Sequence, residues 1–369
     1  MRVLRISLTY PTDQKNGIGL HAFHLSQYSK VQTLIITKKQ FGIPWKSIDQ
    51  VEIFRIRLNS VGFKKEKSIL LNFFPFVSFI FSQLKFFIYG IKKAIKFNPD
   101  IVQCHSPHGL LYALFFKIFF KKKIVLSFHG SDLNRLKNYP FILKNLLNVF
   151  DLIIVVDKNM IDTLTDVSNR ISVFHAPGGC EYDFFRFEKE NYSGNQFIAV
   201  GNVRWQKDYQ TMVEGFQLFN KKNQNKFILK IIGDYHPNDE TVNNNKYDKI
   251  IFIGNRNKDF VKFELNNSVA LIMSSISEGL PKVIIEAMSC GLPVITTNVG
   301  SCGLLVDNEK KGIIIEETKS PKALANALQK FIDNRNLYDK IFIRESVKNY
   351  SWDHLRNKLN LKYNELIKK

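Results

Sequence analysis

The sequence predicts an α/β protein with two doubly wound parallel sheets. Short apolar runs alternate with segments of helical length in both halves of the chain, and one polar, turn-prone stretch separates the halves. A length of 369 residues suits two domains better than one. Hydrophobic residues make up 45% of the chain, which is enough to build a core in each domain.

Eleven apolar runs have the length and composition of buried strands. In the first half they are "RVLRISLTY", "VQTLIIT", "VEIFRIR", "IVQCHS", "KIVLSFHG" and "LIIVVD". In the second half they are "QFIAVGN", "KFILKIIGD", "KIIFIGN", "VALIMSS" and "LPVITTN". Helical segments between several of these runs predict βα units, which form parallel sheets. The polar stretch "EKENYSGN", residues 188–195, is typical of a linker, so we place the domain boundary at 190/191.

The bulk composition restricts the location and the partners. The formal net charge is +20, with a larger excess in residues 1–190, which indicates an anionic partner or codon bias. No DNA- or RNA-binding motif is present. The cysteines are scattered, with no CxxC pair, and the apolar N-terminal run is too short for a secretion signal. We therefore expect a reduced, cytoplasmic protein.

Two segments have an aromatic and basic character. Residues 69–97 are rich in phenylalanine, with Pro75 and several polar residues in between, and residues 110–123 are similar. The first segment approaches the length of a membrane span, but its polar interruptions favour a core helix. The alternative is a helix lying on a membrane surface, since lysines are numerous nearby.

The stretch "SEGLPKVIIEAMSCGLPV", residues 277–294, contains two glutamates eight positions apart. Pro281 suits the first position of a helix, and a glycine followed by a proline ends it, which predicts a helix over 281–290. Glu278 then lies in the loop before the helix, and Glu286 lies inside it. The amides of residues 280–283 would favour an anion. A surface helix with two solvated acids is the alternative.

Other candidate residues follow predicted strands, where open α/β sheets bind ligands. Gly17 and Gly19 open a helix after the first strand and would let a ligand approach, unless they serve only a tight turn. His129 ends "KIVLSFHG" and is better placed for a substrate contact than His105 or His108. A structural histidine is the alternative.

Lys207 and Arg204 follow the strand "QFIAVGN". Two cations beside a helix start would neutralise a diphosphate, although surface charges are the alternative. The chain has no DxD pair, no P-loop, no Ser-His-Asp order and no zinc-binding spacing. We therefore expect neither a metal nor a cofactor.

The motif "EGLPKVIIEAMSCGLPV" resembles the E-x7-E signature of the family-4 retaining glycosyltransferases. The resemblance covers nearly the whole chain and is most specific over residues 199–300. It implies the GT-B fold, in which two Rossmann-like doubly wound domains face a cleft. By that likeness residues 1–190 bind the acceptor, residues 191–348 bind a nucleotide sugar, and residues 349–369 return as a helix to the first domain.

The resemblance also implies roles for individual residues. Glu278 would face the donor sugar, Glu286 would accept from ribose hydroxyls, and Lys207 would bind the diphosphate. The catalytic residues would be His129, Glu278 and Lys207. The complete implied donor site consists of Gly17, Gly19, Arg204, Lys207, Glu278, Gly279, Leu280, Pro281, Lys282, Val283 and Glu286.

The chain departs from the family pattern at three places. Asn202 stands where the family has an arginine, which Arg204 would replace. The usual PNGVD turn reads "PGGCE", residues 177–181, and Leu304 stands where the family has a glutamate. These departures concern donor binding and not the fold.

From these observations we expect a metal-independent, retaining hexosyltransferase. It would transfer a sugar from a UDP- or GDP-sugar to a glycan or a lipid-linked acceptor in cell-surface polysaccharide biosynthesis. The basic first half suggests peripheral binding to the inner face of the cell membrane. The alternatives are a nucleotide-sugar epimerase of similar fold, an inactive membrane-associated scaffold and, least specifically, a nucleic-acid binder.

Overall fold

The chain forms two compact units. Unit 1 consists of Met1–Pro177 together with Leu355–Lys369, and unit 2 consists of Gly178–His354. The computed structural model describes residues 1–9, 17–40, 46, 48–57, 69–105, 109–129, 133, 140–156, 158–167, 171–188, 194–236 and 247–368.

Unit 1 is a parallel sheet covered by helices. Its strands are β1 (Arg2–Ile6), β2 (Gln32–Lys38), β3 (Val51–Ile56), β4 (Ile101–Cys104), β5 (Lys123–Phe128), β6 (Leu152–Val155) and β7 (Val173–His175). Its described helices within the first 177 residues are α1 (Gly17–Ser26), α2 (Ile69–Phe97), α3 (Leu110–Phe120), α4 (Pro140–Val149) and α5 (Asn159–Val167).

The sheet of unit 1 has the order β3-β2-β1-β4-β5-β6-β7. Its central strands are almost continuous runs of buried apolar residues, as expected where helices cover both faces of a parallel sheet. Along β4, for example, Val102 and Cys104 join one apolar cluster with residues of α2 and α3. The hydroxyl of Tyr112 on α3 donates to the carbonyl of Phe86 on α2 over 2.7 Å, which joins these two helices.

Unit 2 repeats this architecture. Its strands are β8 (Gln196–Val200), β9 (Ile228–Ile232), β10 (Ile250–Gly254), β11 (Ala270–Met273), β12 (Val294–Thr297) and β13 (Gly312–Ile315). Its helices are α6 (Tyr209–Lys222), α7 (Lys258–Asn266), α8 (Lys282–Ser289), α9 (Cys302–Leu305), α10 (Pro321–Asp333) and α11 (Lys340–Ser346), and α12 (Trp352–Lys368) begins in unit 2 and continues in unit 1.

The strand order of unit 2, β10-β9-β8-β11-β12-β13, is the 3-2-1-4-5-6 order of a Rossmann fold. Two apolar clusters cover the two faces of its sheet. Phe197 and Ala199 of β8 belong to one cluster, while Ile198 between them belongs to the other. This alternation follows from the two-residue period of a strand. It explains why the strand reads as one uninterrupted apolar run.

The sequence identified eleven of the described strands and missed two, β7 and β13. Both lie at an edge of their sheet. β7 has three residues, all half-buried, and β13 has four. The three isoleucines of β13 lie between Lys311 and Glu316, and β7 has only two apolar residues, so both apolar runs are too short to be read as strands.

The predicted domain boundary at 190/191 differs from the change of unit at 177/178. Residues 178–187 precede the polar stretch, but they contain apolar side chains. Cys180, Tyr182 and Phe185 are buried in the same cluster as α8. The boundary was misplaced because it was put at the polar residues rather than at the last residue of the first core. Residues 189–193 of that stretch lie outside the described residues.

Arg344 of α11 holds this segment in unit 2. Its guanidinium donates to the carbonyl oxygens of Tyr182 (3.2 Å), Phe185 (2.8 Å) and Ser289. It also lies 3.8 Å from the centre of the Tyr182 ring. Three charge-assisted bonds to backbone carbonyls therefore join residues 182–185 to two helices of unit 2.

Residues 69–97 form the single helix α2 that the sequence predicts. Across the described part of the chain, no helix combines the length and the apolar character required to cross a membrane.

We expect Arg344→Ala to destabilise unit 2 by about 3 kcal/mol, because hydrogen bonds to a charged group each contribute about 1.5–3 kcal/mol and their loss leaves carbonyls unpaired. Calorimetric unfolding would measure the change, and hydrogen exchange would show lost protection at the amides of residues 180–185. The matched control is Lys348→Ala, which removes only an exposed pair with Glu345 and should change stability by less than about 0.5 kcal/mol. Equal effects of the two substitutions would contradict this assignment of residues 178–188.

Candidate functional site

The candidate site of unit 2 lies where its strand order reverses. β8 and β11 are neighbours in the sheet, and β9 and β12 lie on opposite sides of them. The connections after β8 and β11 therefore leave in opposite directions and open a crevice at the carboxyl ends of the strands. Lys207 lies on the connection after β8, and Glu278 lies on the connection after β11. Ligands of open α/β sheets bind at this position.

Lys207 and Glu278 form an ion pair in this crevice. The ammonium Nζ of Lys207 donates to Oε1 of Glu278 over 2.6 Å. The Lys207 side chain is 25% exposed and that of Glu278 is 13% exposed. The Ser275 hydroxyl donates to the same Oε1 over 2.7 Å. Both described hydrogen bonds of the carboxylate therefore go to Oε1, and Oε2 takes part in neither.

Backbone contacts fix the two connections to each other. The Ile276 amide donates to the carbonyl of Gln206 over 2.8 Å. The Ser274 hydroxyl donates to the carbonyls of Lys207 (3.1 Å) and Asp208 (2.8 Å). The connection after β11 thus holds the backbone of Lys207 directly, and the position of the ammonium does not depend on its own ion pair alone.

Two glycines allow the close backbone approaches that this arrangement requires. A Cβ at Gly233 would lie 2.0 Å from the carbonyl oxygen of Gly201, so the turns after β8 and β9 touch. Gly300 has φ of +57°, and a Cβ there would lie 2.2 Å from the carbonyl oxygen of Glu278. The Ser301 amide donates to the carbonyl of Gly279 over 2.9 Å. The backbone of residues 278–279 is therefore supported by a turn that only glycine fits.

The helix α8 begins one residue later than the sequence predicts. Pro281 is its N-cap, with φ −75° and ψ 99°, and the helix runs over Lys282–Ser289. Proline fixes φ but permits the extended ψ of a cap residue, so it can precede the first turn as well as begin it. The first amides of a helix have no partner within it, and they carry the positive end of its dipole.

Lys282 and Glu286 lie four residues apart on α8 and therefore share a helix face. The Lys282 ammonium lies 5.8 Å from the centre of the Trp352 ring. A Cβ at Gly178 would lie 2.9 Å from Cε of Lys282. The Lys282 side chain reaches solvent. The protein packed around it lowers the pKa of Lys282, whereas the negative charge of Glu286 raises this pKa by a smaller amount. The "PGGCE" turn thus leaves the space into which this lysine extends.

The residues that depart from the family pattern have other contacts. The Asn202 side chain accepts a hydrogen bond from the Asp234 amide over 3.0 Å and so links the ends of β8 and β9. Arg204 is exposed, and among the described residues no hydrogen bond or ion pair joins its guanidinium to Lys207 or Glu278. Leu304, on α9, is 58% exposed. The substitution of Arg204 for the family arginine thus stays a prediction.

The remaining predicted site residues lie in unit 1. Gly17 and Gly19 are at the start of α1, directly after the connection from β1. His129 follows β5 and is half-buried, in contact with the rings of His21 and His105. His108 lies outside the described residues.

Sequence reasoning missed several residues that build the site. Ser274 and Ser275 hold Lys207 and Glu278, and their position directly after a buried strand was the available signal. Trp352 is far from Lys282 in sequence, so no spacing rule could relate them. The same is true of His21 and His105, which approach His129 only in the folded unit.

Two family models match the chain. The model described as Glycosyl transferases group 1 matches residues 182–345, and the model described as Glycosyltransferase Family 4 matches residues 59–177. The first match contains Lys207, Glu278 and Glu286. No curated protein matches the chain in sequence.

Solved structures share the fold at low sequence identity. Sucrose-phosphate synthase from Thermosynechococcus elongatus is 16% identical, with a TM-score of 0.73, over 99% of this chain and 98% of that one. HepE from Anabaena, solved in complex with UDP and glucose, is 13% identical, with a TM-score of 0.68, over 99% of this chain and 100% of that one. A glycosyltransferase from Rickettsia africae is 19% identical, with a TM-score of 0.70, over 100% and 99%.

The strand orders of both units, the E-x7-E stretch beside Lys207 and the two family matches agree with one another. The chain belongs to the family-4 glycosyltransferases of GT-B type.

Proposed function

We propose that the protein is a retaining, metal-independent glycosyltransferase that moves a hexose or an N-acetylhexosamine from a UDP- or GDP-sugar to a glycan or lipid-linked acceptor. The observation that carries this proposal is the Lys207–Glu278 pair at the crevice of unit 2. It places one cation and one hydrogen-bond acceptor beside the start of α8, where a diphosphate joined to a sugar needs both.

The charges suit a pyrophosphate. An ammonium has three N–H donors, and Glu278 accepts from one of them. In this proposal the other two donate to phosphate oxygens. The amides at the start of α8 add the positive end of the helix dipole. In this proposal Lys207 and the helix start supply the stabilisation that a divalent metal supplies in other transferases.

The two glutamates bind different parts of the donor. Oε2 of Glu278 accepts from a sugar hydroxyl, while Oε1 keeps its bonds to Lys207 and Ser275. Glu286 lies further along α8 and accepts from ribose hydroxyls. Because the two acids act on different groups, they need not share a helix face.

Retention implies attack from the side of the leaving group. The bond between the sugar C1 and the phosphate oxygen breaks, and a bond between C1 and the acceptor oxygen forms on the same face. The proton of the acceptor hydroxyl passes to the departing phosphate. Lys207 lowers the barrier by stabilising the charge that develops on this leaving group. His129 of unit 1 is proposed as a substrate contact.

The nucleotide preference is supported by the fold relatives. Structures of HepE contain UDP and UDP-glucose, so we propose a uridine nucleotide as the first donor to test. The lipopolysaccharide outer core galactosyltransferase WaaB is 16% identical, with a TM-score of 0.66. Its name supports a cell-surface glycan as the class of acceptor.

We further propose peripheral binding to an anionic membrane. Exposed apolar side chains on α2 and α3 include Phe81 (66%), Ile88 (64%), Ile118 (66%) and Phe119 (70%). Exposed lysines such as Lys85, Lys92 and Lys121 lie on or next to the same helices. Apolar residues beside lysines are the composition of an interfacial surface. Such binding would bring the enzyme to a lipid-linked acceptor.

Lys207→Ala should lower kcat/KM for sugar transfer by about 10- to 100-fold, since a charge-assisted contact contributes about 1.5–3 kcal/mol. The control is Lys362→Ala, which removes a surface pair with Glu365 on α12 and should leave the rate unchanged. Steady-state kinetics with EDTA present would measure both variants. A Lys207→Ala enzyme as fast as the wild type would remove this lysine from the mechanism.

Glu286→Ala should weaken the binding of UDP by at least about tenfold, because two ribose hydroxyls lose a charged acceptor. Isothermal titration calorimetry is the measurement. Glu214→Ala is the control, since Glu214 is exposed on α6 and bonds only to Gln210 among the described contacts. Unchanged affinity in Glu286→Ala would reject the ribose assignment.

The double variant Ile118→Ser/Phe119→Ser should lose binding to phosphatidylglycerol vesicles in co-sedimentation, and higher salt should weaken binding of the wild type. Phe263→Ser is the control, because Phe263 is 58% exposed on a helix of unit 2. Equal sedimentation of all three proteins, or binding to neutral phosphatidylcholine alone, would refute this surface.

A further inference from the structure

Three histidines from distant parts of the sequence meet in unit 1. His21 lies on α1, which follows β1, while His105 and His129 directly follow β4 and β5. β1 and β4 are neighbours at the point where the strand order of this sheet reverses. One ring nitrogen of each histidine lies within 4.8 Å of the others. The cluster therefore occupies the position in unit 1 that Lys207 and Glu278 occupy in unit 2.

The spacing of the rings is close to that of a metal site. The ring centres of His21 and His105 are 6.0 Å apart, those of His21 and His129 are 5.1 Å apart, and those of His105 and His129 are 5.7 Å apart. Zinc binds histidine nitrogens at about 2.0–2.1 Å in tetrahedral geometry, which places the centres of three bound rings about 5.2 Å apart. In this geometry the bound nitrogens lie about 3.3 Å apart, so nitrogens that lie within 4.8 Å of one another would approach by at most about 1.5 Å on binding.

The three rings differ in their exposure to solvent. His21 and His105 are 4% and 0% exposed, whereas His129 is half-buried. The less buried His129 marks the side from which an ion enters.

A neighbouring cation restricts which metal can bind. The buried guanidinium of Arg5 donates to the side chain of Gln103 and to the carbonyl of Leu25. Its charge opposes a second cation nearby. Metals that prefer oxygen ligands, such as Mg²⁺ and Ca²⁺, gain nothing from three imidazoles to offset this repulsion. Zn²⁺ and Co²⁺ bind imidazole strongly enough to do so.

We propose that His21, His105 and His129 bind a zinc ion and leave its fourth coordination position open. Three protein ligands with one open position are the arrangement in which zinc takes water or a substrate oxygen. The proposal goes beyond the proposed function, because the donor chemistry of unit 2 requires no metal.

The test is a titration of the full chain, stripped with a chelator and carrying no histidine tag, with Co²⁺ in the absence of donor and acceptor. We expect one Co²⁺ per chain, the strong visible absorption of tetrahedral cobalt, and its displacement by one equivalent of Zn²⁺. Mg²⁺ should have no effect. Because neither substrate is present, the result is independent of whether sugar transfer is found.

Variants assign the ligands. His21→Gln and His129→Gln should each weaken Co²⁺ binding by at least about tenfold, since the loss of an outer-shell partner alone costs a metal site about that much. His236→Gln, at an exposed position of unit 2, is the control and should bind as the wild type does. Circular dichroism verifies folding, and either of the two ligand variants suffices if the other fails to fold. Substoichiometric binding, the weak absorption of octahedral cobalt, or unchanged affinity in a folded ligand variant would overturn the proposal.

Discussion

The parallel order of the strands is the constraint on which both candidate sites depend. In each unit, the connections of two neighbouring central strands leave in opposite directions, and the crevice between them collects side chains from distant parts of the sequence. In unit 2 the crevice holds Lys207 and Glu278, with 2.6 Å between Nζ and Oε1. In unit 1 the corresponding crevice holds three histidines. Neither group could form on a helix or strand alone, since the members come from different βα units.

The ion pair of unit 2 is held by backbone rather than by its own charges. Exposed or half-exposed pairs contribute little stability, and the Lys207–Glu278 bond is partly open to solvent. The contacts from Ser274 and Ile276 to the neighbouring connection fix the geometry, and Gly300 lets a third turn support the backbone of Glu278. A site built in this way can exchange part of its ion pair for phosphate contacts without losing its shape.

The sequence predicted the two sheets, most strands and the local geometry around residues 277–294, because these depend on apolar runs and on proline and glycine signals. It did not predict the two short edge strands or the unit boundary at 177/178, where apolar residues such as Tyr182 pack beyond the last strand of unit 1. It also identified His129 without its neighbours. Contacts between residues that are far apart in the chain, such as Lys282 with Trp352, leave no periodic signal.

The central claim is that a lysine and the start of a helix, rather than a metal ion, neutralise the pyrophosphate of the donor. A crystal structure of the protein soaked with UDP and Mg²⁺ would test it most directly. We expect phosphate oxygens within hydrogen-bond distance of Lys207 Nζ and of the first amides of α8, with no metal between the phosphates and the protein. A nucleotide bound elsewhere, or one held to unit 2 through Mg²⁺, would contradict it.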